Sequence, residues 1–131
     1  MTDFILRGSR LQEIPELLRS TVLGFEESDE YRKIGDYAPD ISAVVMAAFA
    51  HYLCKLEAQE LTGTGEDGLS AVITSAYKAL EMLASSPESA IRELVTDEIY
   101  ETLDDCEPQI LEKIRRRLGP NASTLYGLKH R

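Results

Sequence analysis

The 131-residue sequence has no tryptophan, two cysteines, two histidines and three phenylalanines. Two cysteines, Cys54 and Cys106, are too few for a disulfide framework, which points to a reducing compartment and inert structural thiols. No apolar run approaches the ~20 residues that cross a bilayer, so no membrane partner is expected. The opening MTDFILRGSR carries Asp3 and too short an apolar stretch for a signal peptide, so a cytoplasmic protein is expected. Scarce histidine also limits chemistry. His51 is the one internal histidine, since His130 falls in the tail, and no local signature around it marks a Ser–His–acid or Cys–His arrangement.

What the sequence does have is negative charge, unevenly placed. The net charge is -9, but residues 1–106 hold 8 Lys+Arg against 21 Asp+Glu, and residues 107–131 hold 6 against 2. An acidic body repels nucleic acid and favours basic partners. Helical periodicity dominates the rest. Residues 10–25 repeat Leu11, Ile14, Leu17, Leu18 and Phe25 after a start signal at Ser9, with Pro15 breaking or restarting the helix. Residues 26–40, EESDEYRKIGDYAPD, lack an apolar period and are expected to be loop. The clearest helix spans 41–61, with Ile41, Val44, Val45, Ala48, Tyr52, Leu53 and Leu56 in a wide stripe, and is expected to be central. Further helices are expected over 69–86, 88–105 and 109–119. Asp67 or Ser70, then Ser86, are candidate caps, and 121–131 is a partly frayed tail. No strand pattern occurs. The expectation is a single all-α domain, a bundle or short stack of antiparallel helix pairs with five to six helices.

Gly63-Thr64-Gly65-Glu66-Asp67-Gly68 matches G-x-G-x-x-G letter for letter. A dinucleotide site needs a strand before those glycines and a helix N-terminus facing the pyrophosphate. Here a helix precedes them, and Glu66 and Asp67 put negative charge where phosphate would sit, so the segment is expected to be a helix–helix loop. His51 and Cys54 share a helix face and, with Cys106, form the one conceivable metal site, but zinc needs four ligands or three plus water. Di-iron chemistry wants Glu-x-x-His pairs, and Ala48 and Gly127 stand where the glutamates would be. Arg115, Arg116 and Arg117 suit the negative end of a helix dipole. No metal, cofactor or enzymatic activity is expected.

Two acidic clusters remain: Glu26, Glu27, Asp29 and Glu30, then Asp97, Glu98, Glu101, Asp104, Asp105 and Glu107. Tyr31, Tyr37 and Tyr100 lie within or beside them, and tyrosine amid carboxylates suits a protein interface. IPELL at 14–18, APD at 38–40, ETL at 101–103 and LGP at 118–120 together resemble a group of short bacterial all-helical proteins of the immunity-protein type. The chain departs from that pattern at Thr102, where asparagine is expected, and in a longer TGTGEDG loop. The resemblance implies a protein that binds and neutralises a bacterial toxin. The expected contacts are Tyr31, Asp97, Glu98, Tyr100 and Glu101, facing a basic toxin domain. A self-associating helical scaffold and a small metalloenzyme using His51, Cys54 and Cys106 are the alternatives from other classes.

Overall fold

The computed structural model describes residues 11–130, so the start signal at Ser9 lies outside the described residues. A short 3-10 turn, Leu11–Glu13, leads into seven helices among the described residues: α1 (Ile14–Thr21), α2 (Asp29–Gly35), α3 (Ser42–Thr62), α4 (Leu69–Ala84), α5 (residues 89–103), α6 (Pro108–Arg117) and α7 (Pro120–Lys129). No strand occurs among them. Pro15 sits in the first turn of α1, where its missing N–H breaks no helical bond.

α3 is the axis. Val45, Met46, Ala48, Phe49, Ala50, Tyr52, Leu53 and Leu56 are all buried, which places nearly every face of its middle against another helix. α1, α2, α4, α5 and α6 all pack on it, and α7 closes the assembly by packing on α4 and α5. Phe25, between α1 and α2, packs on α2 and α3, with its ring 5.3 Å from Tyr31, 5.7 Å from Tyr52 and 6.2 Å from Phe49. Each fully buried side chain of this size contributes about 1.5–3 kcal/mol, so this aromatic group alone outweighs any single surface contact.

Three local outcomes differ from the sequence expectations. Residues 29–35 are helical: the Ser28 hydroxyl accepts from the Tyr31 N–H as an N-cap, and Tyr31 and Ile34 turn inward one helical step apart. This segment raises the helix number to seven; two buried residues are too short a pattern for periodicity to register. Residues 120–129, expected to fray, form α7 instead. The Glu81 carboxylate on α4 accepts from Asn121 N (2.9 Å), Asn121 Nδ2 (2.7 Å) and Ala122 N (2.9 Å), capping α7 from another helix. Gly119 permits this approach, because a Cβ there would lie 2.5 Å from Glu81 Oε1. Finally, α4 starts at Gly68 with no side-chain cap from Asp67 or Ser70, and Ser86 bonds the Glu88 N–H without being the N-cap of α5.

The glycine-rich stretch is the loop joining α3 to α4. Gly63, at φ 71°, ends α3 in the left-handed conformation, and Gly68, at φ 87°, opens α4. The middle of α5 is a π-helical turn, Val95–Tyr100, flanked by α-helical Ser89–Leu94 and Glu101–Leu103. Its wider turn lets the consecutive residues Ile99 and Tyr100 both be fully buried. Glu81→Ala is expected to destabilise the protein by about 1–2 kcal/mol through loss of the α7 cap. Glu81→Gln retains part of it, and denaturant titration of both variants checks the order.

Candidate functional site

The five expected contact residues do not form one surface. Tyr100 is fully buried, and its hydroxyl donates to the Ala122 carbonyl at 2.6 Å, which makes it a core residue fastening α7 and corrects its assignment as a partner contact. Tyr31 is corrected likewise: it is buried against Phe25, and its hydroxyl accepts from Arg19 Nη1 at 3.1 Å. The reason is the same for both. A tyrosine ring is buried at little cost once its hydroxyl finds a partner. Glu101 is exposed but pairs with Lys129 at 3.0 Å, and Asp104 takes Lys129, His130 and the Tyr126 hydroxyl. Burial and the hydrogen bond to Asp104 push Tyr126 up to about 12, so its phenol stays a donor through neutral pH. Two carboxylates of the second acidic cluster, Glu101 and Asp104, are therefore engaged in holding α7. Asp97 and Glu98 make no ion pair among the described residues.

Glu98 instead lines a groove of about 780 Å³. Ala43, Val44, Ala47, Ala48 and His51 of α3 form one part of its lining, and Glu30, Lys33 and Ile34 of α2, with Tyr37 beyond it, form another. The groove thus joins one residue of each acidic cluster, Glu30 and Glu98, beside small apolar side chains. Tyr37, 71% exposed, projects at this place, and Ile41, 52% exposed, stands close by in sequence just before α3. Glu30 is held by Lys55 at 2.7 Å, so its charge is partly neutralised within the molecule. Tyr37 is the tyrosine that its exposure singles out, and its place beside APD is the signal the sequence offers for it.

A second constellation lies inside the fold. Glu57, on α3, is fully buried. Its Oε2 accepts from the Tyr77 hydroxyl of α4 at 2.5 Å and lies 3.5 Å from Arg117 Nη1, while Lys113 Nζ is 3.7 Å from its Oε1. Oε1 itself accepts no hydrogen bond. Glu60, one turn on, binds Lys113 at 2.7 Å and Arg117 at 2.5 Å. Burial, then donation to Glu57, raises Tyr77 well above the ordinary tyrosine range and keeps it a hydrogen-bond donor. The Lys113 hydrogen bond, with help from Arg117, holds Glu60 below its ordinary value of 4.5. Glu57 and Glu60 are spaced for one helix face, yet tertiary packing buries the first and leaves the second half-exposed.

The cysteines are joined. Cys54 of α3 and Cys106, between α5 and α6, form a disulfide that closes a sequence separation of 52. Both are half-buried against the core. The bond was not expected, and it removes the His51/Cys54/Cys106 ligand set, because both thiolates are consumed and His51 is exposed. No group of three His, Cys, Asp or Glu side chains among the described residues is placed to hold a metal ion. No helix among them is long and apolar enough to cross a membrane.

Glu57→Ala is expected to cost about 3 kcal/mol, the lower end for breaking a buried ion pair, because Glu60 still holds both cations. Glu57→Gln, which keeps an acceptor for Tyr77, is expected to cost less in the same urea titration. For Glu60 the lowered value means that the unfolded chain takes up the proton first as pH falls. Its stabilisation is complete above pH 4.5 and lost as pH drops through the lowered folded value. Thermal midpoints below pH 4.5 should therefore fall less steeply in Glu60→Gln than in the parent. No protein-family model, curated protein or solved structure matches the chain.

Proposed function

We propose that this protein is a non-enzymatic binding protein, an immunity-type inhibitor that seats a basic bacterial toxin domain over the α3 groove. The observation that carries the reading is the groove itself: small apolar side chains of α3 lie beside Glu30 and Glu98, with Tyr37 exposed at the same place. An aromatic anchor beside carboxylates is the composition from which protein interfaces draw affinity and orientation. The net charge of -9 favours encounter with a basic partner. Lys33 and Lys55 offset part of the local charge, so the position of Glu98 and its neighbour Asp97 matters more than the sum. A second reading, self-association through the same face, draws on the exposed Tyr37 and Ile41. Repulsion between two acidic copies opposes it.

The test is a calorimetric titration of the purified protein with the product of the adjacent gene, at low and high salt, alongside an assay of that product's activity. The expected result is a complex that inhibits the partner and weakens as salt rises. Ala47→Arg, which fills the groove with a bulky cation, is expected to weaken binding by about tenfold or more. Absence of both complex and inhibition overturns the proposal. Self-association that strengthens with salt supports the second reading.

A further inference from the structure

α6 is held to α3 along one seam, and its two ends are fastened differently. At the start of the seam Cys54 is bonded to Cys106; toward its end Glu57 and Glu60 hold Lys113 and Arg117. Because both sets ascend together in the chain, α6 runs alongside the second half of α3 in the same direction. Between these fastenings α6 buries only Ile110 and Ile114. A ten-residue helix has little stability of its own. The elbow before it has short-range bonds, Asp105 N–H to Thr102 O and Cys106 N–H to Leu103 O. α3 also packs on α1, α2, α4 and α5, and the two half-buried cysteines lie at the edge of that core.

We propose that the Cys54–Cys106 disulfide is a reversible redox latch on the elbow and α6, opened by a dithiol reductant without unfolding the rest of the molecule. Two electrons and two protons pass to the sulfurs: Cys54 and Cys106 each become a thiol, and the reductant closes its own disulfide. The bond is half-buried at the edge of the core, and the neighbours of Cys106, Asp105 and Glu107, are exposed, so a thiolate approaches from that side. Once opened, α6 stays tethered through α7, whose first turn is held by Glu81. The ion cluster and the buried Ile110 and Ile114 then hold α6, and Glu57 keeps its bond from Tyr77. This device is independent of what the α3 groove binds.

Hydrogen exchange read by mass spectrometry on the oxidised and dithiothreitol-reduced full chain tests it. Reduction is expected to raise the intact mass by two hydrogens and to speed amide exchange about tenfold in residues 104–117, with residues 42–62 unchanged and reoxidation restoring the first pattern. Cys54→Ser combined with Cys106→Ser should reproduce the reduced pattern. Glu57→Gln should widen the difference between the reduced and oxidised proteins in residues 104–117. Faster exchange spread evenly over all helices identifies a global staple and overturns the latch. No change anywhere, or thiols that do not re-pair on oxidation, also overturns it.

Discussion

A carboxylate with no exposure to water organises the middle of this molecule. Removing a charge from solvent costs several kcal/mol unless the surroundings answer it with hydrogen bonds and opposite charge. Glu57 sits on the helix that every neighbour except α7 packs against, and its answers come from two others, Tyr77 on α4 and Lys113 and Arg117 on α6. The requirement therefore fixes where α4 and α6 lie relative to α3. It also explains why α6, with only two buried isoleucines, has a defined place at all. Such an arrangement specifies position more than it adds stability, since an apolar replacement of the same shape would fill the space without needing these partners.

Much of the acidic excess is used in the same way. Glu81 caps α7, Glu101 and Asp104 hold Lys129, and Glu30 holds Lys55. These bonds replace apolar area that short helices cannot supply. These bonds leave the net charge of -9 unchanged, but they decide which carboxylates are held within the molecule. Glu98, which lines the α3 groove, and its neighbour Asp97 are carried by the π-turn of α5 and make no ion pair among the described residues. That turn buries Ile99 and Tyr100 side by side, so inward packing of this segment and outward placement of Asp97 and Glu98 have one cause.

The groove and the disulfide lie on the same central helix, with His51 lining the first and Cys54 forming the second one turn later. α3 is thus a rigid rod whose first half borders an open surface and whose second half fastens α6. The proposed partner binding on one stretch and the proposed redox opening on the other are separated by a continuous, close-packed core.

Local patterns determined the all-helical class, the central place of the helix over 41–61 and the reading of the glycine motif as a helix–helix loop. Each rests on local patterns whose physics is contained within a turn or two. Tertiary structure decided what local patterns cannot express: that Glu57 is buried while Glu60 is half-exposed, that Tyr31 and Tyr100 turn inward while Tyr37 projects, and that Cys54 meets Cys106. The stretch 120–129 is helical because Glu81, distant in sequence, caps it. Burial and pairing depend on which helices meet, and a residue's own neighbours in sequence carry no record of that meeting.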